Sequence, residues 1–118
     1  MDADLRVEMT GDFVVATLRG LPTESMLIEC QQQIQRLLGA AATGRVLYDA
    51  RAMEAPPVQV PWLQRQLDEN APNTMHLRRA IVVSNTRIGF LARLAFGGGD
   101  YRVFYDDVQA ATHWLAAD

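Results

Sequence analysis

The sequence contains no lysine, and its eleven basic residues are all arginine. That absence excludes Schiff-base chemistry, a lysine general base and the lysine of a phosphate-binding loop. Cysteine occurs once, at Cys30, so neither an internal disulfide nor a multi-cysteine metal site can form. The same usage fits a reducing compartment. No stretch approaches the roughly twenty apolar residues of a membrane span. The acidic start Met1-Asp2-Ala3-Asp4 lacks the basic and apolar segments of a secretion signal. Together these absences predict a soluble, cytoplasmic protein. A net charge of −3 gives no footprint for nucleic acid, and no nucleic-acid partner is expected.

What is present is ordinary globular material. With 118 residues, 49% of them hydrophobic, the chain has the length and composition of one domain, 1–118, with a core of its own. Leu5, Val7 and Met9 alternate with Arg6 and Glu8, which predicts a half-buried strand over 5–9. Gly11-Asp12 is a hairpin turn signal, and a return strand follows over 13–18 until Gly20-Leu21-Pro22 ends it. Thr23 is placed to cap a helix, with Glu24 in its first turn at the positive end of the dipole. Leu27, Cys30, Ile34, Leu37, Leu38 and Ala41 then recur at helical spacing opposite Glu29, Gln32, Gln33 and Arg36.

A short strand is predicted over 45–49. Pro56-Pro57 is an extended lead-in, and Pro61 suits the first position of a helix over 61–70 with Leu63 and Leu67 inward. Pro72-Asn73 breaks that helix. The strand over 77–83 is continuous in apolar residues from Ala80 to Val83, as expected of a strand covered on both faces. A third helix over 87–96, a strand from Tyr101 and a last helix over 108–115 complete the order ββαβαβαβα. The fold class is α/β, a mixed and mostly parallel sheet with packed helices joined by right-handed crossovers.

Several segments carry the pattern of a known family. They are Val46-Leu47-Tyr48-Asp49 ending the third strand, Arg79-Ala80-Ile81-Val82-Val83 in the fourth, and Val103-Phe104-Tyr105-Asp106 leading to Ala110 and Trp114-Leu115. In this order and at these intervals the chain resembles, over nearly its whole length, the SpoIIAA-like branch of the STAS (anti-sigma factor antagonist-like) superfamily. The resemblance implies a sheet of four or five strands and a non-enzymatic regulatory or protein-interaction role. It also implies a switch by phosphorylation of a serine or threonine at the start of the helix after the third strand. Here that segment, Asp49-Ala50-Arg51-Ala52-Met53-Glu54-Ala55-Pro56-Pro57, has no hydroxyl, and the next along the chain is Thr74. The switch therefore does not carry over. The branch is also similar to lipid carriers of the Sec14 type. That similarity implies an alternative role, carrier or sensor of a small lipophilic ligand with peripheral membrane association.

Other features read more plainly as structure than as chemistry. Gly97-Gly98-Gly99 follows a helix and precedes a strand, the reverse of a phosphate loop, and reads as a helix stop. His76 and His113 have no neighbours at metal spacing, and no metal or other cofactor is expected. Asp106-Asp107 reads as the cap of the last helix and Thr86 as the cap of the third. Cys30 reads as a buried structural thiol. Catalysis would need Asp49, Ser84 or His76 to share one cleft, and no nucleophile–base–orienter set is legible.

One feature resists a purely structural reading. At about 100° per residue, Ile88, Leu91, Ala92 and Ala95 form one face of the third helix, while Phe90 points about 150° and Leu94 about 110° away. Trp62 points about 120° from the Leu63–Leu67 direction of the second helix. Trp62, Phe90, Leu94 and Phe96, with Arg87 and Arg93 at the rim, are thus the candidate ligand or interface residues. The open alternatives are a packing seam between the helices, a homodimer interface, a contact with another protein, a lipophilic pocket, and a membrane-facing patch.

Overall fold

The computed structural model describes residues 3–40, 44–70, 77–97 and 100–117. Its elements are β1 (Asp4–Thr10), β2 (Phe13–Gly20), α1 (Glu24–Ala40), β3 (Arg45–Met53), α2 (Gln59–Asn70), β4 (Arg78–Val83), α3 (Thr86–Phe96), β5 (Asp100–Tyr105) and α4 (Val108–Ala116). The strands form one five-stranded sheet in sequential order, β1 antiparallel to β2 and every later pair parallel. Ala41, Pro72-Asn73, His76 and Gly98-Gly99, singled out above, lie outside the described residues.

Local chemistry places most boundaries. Gly11 takes φ 62° in the two-residue turn between Thr10 and Phe13, a left-handed angle that glycine adopts without steric cost. Thr23 Oγ1 accepts from Met26 N–H at 3.1 Å and starts α1 as expected. Asp107 Oδ1 accepts from Ala110 N–H at 2.9 Å and caps α4, while Asp106 before it sits at φ 58°. The cap of α3 is Asn85, not Thr86: Asn85 Oδ1 accepts from Ile88 N–H at 2.9 Å, and Thr86 is already helical. Asparagine is the stronger cap of the two, which decides between adjacent candidates.

Most elements run one or more residues past their predicted limits, and two of these extensions, in β3 and α2, have an identifiable cause. β3 continues to Met53 because β2 does too: Arg19 pairs with Ala52 and Gly20 with Met53, beyond the point where β4 ends at Val83. Helix α2 starts at Gln59, so Pro61 is its third residue, where the helix still needs no donated N–H. The buried face of α2 also differs from expectation. It carries Val60, Pro61 and Gln64, while Leu63 and Leu67 are half-buried.

Side chains alternate across the sheet into two layers. Val14, Ala16, Leu18, Val46, Tyr48, Ala50, Ile81 and Val83 face α1 and α3. Leu47, Ala80 and Val82 face Ala111 and Leu115 of α4 on the other side. β4 is accordingly buried along both faces, as its apolar run predicts, and lies inside the sheet between β3 and β5. β1 is an edge strand, and its alternation stays half-exposed.

A charged residue sits within this apolar frame. Arg79 of β4 is 1% exposed. Its guanidinium grips both carboxylate oxygens of Asp68 on α2, Nη1 donating to Oδ2 at 2.8 Å and Nη2 to Oδ1. It also lies near the Tyr48 phenol, where its charge opposes the effect of burial, and 5.0 Å from the centre of the Phe96 ring. A two-pronged pair of this kind fixes direction as well as distance. Burial pushes the Asp68 carboxyl above its ordinary range, while Arg79 beside it draws it down.

Two outcomes follow from this core. Asp68→Ala leaves an uncompensated charge on Arg79 and is expected to cost roughly 3–5 kcal/mol in urea unfolding. The double variant Asp68→Leu/Arg79→Met removes both charges and recovers most of that loss; an equal loss in both proteins would show the pair is not the source. Cys30 is 3% exposed, and burial, then the neighbouring Glu29 carboxylate, pushes its thiol from 9.0 up to about 12. Since the thiolate is the reactive species, iodoacetamide at pH 8 should alkylate the native protein roughly a thousandfold more slowly than the urea-unfolded chain.

Candidate functional site

Every strand from β2 to β5 points the same way, so the segments that follow them gather at one edge of the sheet. This carboxyl edge is where open α/β sheets present their binding groups. Here it carries Pro22 after β2, residues 54–58 after β3, Ser84-Asn85 after β4 and Asp106-Asp107 after β5. The N-terminal turns of α2, α3 and α4 start from it.

Beneath α2, between that helix, α1, α3 and the sheet, lies an apolar cavity of about 70 Å³. Leu18, Tyr48, Ala50 and Ile81 form its floor on the sheet side. Leu27 and Cys30 come from α1, and Ile88, Leu91, Ala92, Ala95 and Phe96 from α3. Val60, Pro61 and Gln64 of α2 close it above, with Pro22, Met53 and Pro56 from the carboxyl edge. Its lining is apolar except at Tyr48, Cys30 and Gln64. Burial raises the pKa of the Tyr48 phenol, against the opposing charge of Arg79. Gln64 is 6% exposed, and its Nε2 has no hydrogen-bond partner among the described residues.

The six sequence candidates are divided between this cavity and the surface. Phe96 is buried, lines the cavity and stacks on Tyr48 with ring centres 5.0 Å apart. Trp62 is 47% exposed, with the Arg65 guanidinium over its ring at 5.8 Å, and Phe90 is 60% exposed. Leu94 is half-buried and Arg87 is exposed. Arg93 Nη2 donates to the Tyr105 hydroxyl at 3.1 Å. That tyrosine lies so close to Gly89 that a β-carbon there would come within 2.6 Å of its oxygen. Exposed Val58 immediately precedes α2 and Trp62 lies in its first turn; Arg87 and Phe90 lie in the first turns of α3. These surface groups therefore belong to the carboxyl edge, while Leu94 and Arg93 lie farther along α3.

Sequence reasoning missed Gln64, Asp68 and the burial of Arg79. A signal was available: Val60, Gln64 and Asp68 recur every four residues, and Pro61 joins them on one helical face. Of the residues considered for catalysis, Asp49 and Ser84 are among the described residues. Asp49 accepts from Arg51 Nε and Nη2 at 2.9 Å each, a pairing that holds its carboxyl below the usual range. Ser84 is exposed and receives a long 3.4 Å hydrogen bond from Asn85 Nδ2.

No protein-family model and no curated protein sequence matches this chain. Solved structures do. A protein of the DUF3478 family from Shewanella loihica PV-4, with a SpoIIAA-like fold, is 17% identical and superposes with a TM-score of 0.68 over 97% of this chain and 93% of its own. An anti-sigma factor antagonist from Mycobacterium paratuberculosis is 12% identical, with a TM-score of 0.69 over 98% of this chain and 96% of its own. With the sequential mixed sheet, three helices on one face and the fourth on the other, this agreement over nearly the full length establishes that the chain has the SpoIIAA-like fold.

Proposed function

We propose that this protein is a non-enzymatic regulatory module that works by binding another protein. The observation that carries this reading is the agreement in fold, over almost the entire chain, with an anti-sigma factor antagonist. The module works without the phosphoacceptor of the SpoIIAA-like pattern. Between Asp49 and the first turn of α2 there is no serine or threonine to receive a phosphoryl group. The binding surface is the carboxyl edge, where Val58, Trp62 and Phe90 present large apolar groups beside Arg87. Aromatic and arginine side chains are the residue types that dominate binding energy at protein interfaces.

A second reading is favoured by one specific observation. The apolar cavity beneath α2 suits a carrier or sensor of a small lipophilic ligand. In its membrane-associated form, that reading uses Trp62 and Phe90 as interfacial groups and the arginines as contacts to anionic head groups.

The discriminating material is the Trp62→Ala/Phe90→Ala double variant. Both side chains are largely exposed, so the melting temperature should change little. A partner captured from the native host and identified by mass spectrometry should bind the variant at least about thirtyfold more weakly than the wild type in calorimetry. Unchanged affinity in the variant would remove this surface from the proposal. Flotation of the wild type, but not the variant, with phosphatidylcholine–phosphatidylglycerol vesicles would favour the membrane form instead.

A further inference from the structure

The lining of the cavity beneath α2 marks its entrance. Every residue of that lining is buried except Met53, so the space meets the surface there, at the end of β3. Met53 lies beside Gly20 in the sheet register, and Glu54 N–H donates to the Gly20 carbonyl at 2.8 Å. That bond draws the segment after β3 against Leu21-Pro22 after β2. The entrance therefore opens on the carboxyl edge, between two segments that each expose a large apolar side chain, Leu21 and Val58. Methionine is unbranched and flexible, a side chain able to swing aside at a mouth.

Size and polarity decide the kind of occupant. The volume of about 70 Å³ is about half that of an engineered cavity that takes benzene, so it encloses about three to five heavy atoms. A free molecule so small binds weakly, roughly in the micromolar to millimolar range at the ceiling for tiny ligands. Sites for free ligands also orient them with a few placed polar groups. Here the walls present almost no polar surface. A side chain carried on a bound protein needs neither strong affinity nor orienting groups of its own, because the rest of the interface holds it in place, and interface anchors sit in such desolvated pockets. The carbons of a leucine or isoleucine side chain fit this volume. The rim adds a charge requirement. Glu24 starts α1 just after Pro22, and Glu54 follows Met53; both are exposed, and neither has an ion pair among the described residues. Arg51, two residues before Met53, is already held by Asp49.

We propose that the cavity beneath α2 is the anchor pocket of the protein interface: it receives one leucine or isoleucine side chain of the partner, which enters past Met53, while a lysine or arginine beside that residue meets Glu24 and Glu54. This rests on the protein-binding reading and adds to it the partner's anchor residue and its flanking charge.

The test selects peptides of about twelve random residues by phage display on the wild-type protein. The retained sequences should share a leucine or isoleucine next to a lysine or arginine. Replacing that aliphatic residue by alanine should weaken binding by about tenfold or more, the effect of burying one such side chain. In NMR of the ¹⁵N-labelled protein, the parent peptide should shift amides of the cavity lining in α1 and α3, and the alanine peptide should not. Ala92→Leu, which fills the cavity from α3, should bind the parent peptide about tenfold more weakly. Selected peptides without a shared aliphatic residue, or equal binding to wild type and Ala92→Leu, would overturn the inference. The protein-binding reading would then stand or fall separately, on whether Trp62→Ala/Phe90→Ala weakens the captured partner. If no peptide is retained, the inference fails and the reading is again decided by that partner. Should Ala92→Leu not fold, the alanine peptide against the wild-type protein still decides the matter.

Discussion

Asp68 and Arg79 join α2 to the sheet by a charged clasp in an otherwise apolar layer. The helix is poor in groups that would hold it there otherwise. Its buried residues are a valine, a proline and a glutamine, and its leucines are only half-covered. Hydrophobic contact is non-directional, so such a helix could settle at several rotations about its own axis. The clasp selects one. In that rotation Gln64 points inward, Trp62 points outward, and the space between α1, α3 and the sheet remains partly unfilled. The cavity and the exposed aromatic are both results of one directional bond.

The clasp is also why α2 is the element where sequence and structure part company. Leu63 and Leu67, one turn apart, read as an inward stripe, and burying them would bring the larger apolar area out of water. The observed inward stripe lies about one residue on, a rotation of about 100°. Desolvating a charge costs more than exposing part of a leucine, so once Arg79 is inside the layer its carboxylate partner must follow. Arg79 was legible as an arginine inside a strand pattern. Its pairing with Asp68, eleven residues earlier, was not, because nothing local links the two positions.

Where the determinants are local, the reading succeeds. Thr23, Asp107 and Gly11 act on the backbone within three residues of themselves, and each is found doing so. The core stripe of α3, Ile88, Leu91, Ala92 and Ala95, is buried as its period requires. The candidate site was half legible. Phe90 is exposed, as its angle off the inward face of α3 implies, and Trp62 is exposed too, although the inward face of α2 is not the Leu63–Leu67 one from which its angle was taken. Phe96 was grouped with them, but as the last helical residue it turns down against Tyr48. The carboxylate of Asp49 was legible as chemistry and is instead a local fixture, tied to the arginine two residues along its own strand.

The sequential order of the strands has a further consequence, for how the molecule is made. Each strand hydrogen-bonds to the one that precedes it in the chain, and among the described residues no later segment is inserted between two earlier ones. Synthesis from the N-terminus therefore lays the sheet down from one side to the other. Every new strand meets a neighbour that already exists, and the growing structure has a single advancing edge. Such near-neighbour pairing shortens the loops that must close before contacts form, which favours rapid folding for a parallel sheet. The outer strands of this five-stranded sheet are β1 and β5. Asp4, Arg6 and Glu8 on one, and Asp100 and Arg102 on the other, set charges along borders where a second sheet would otherwise add.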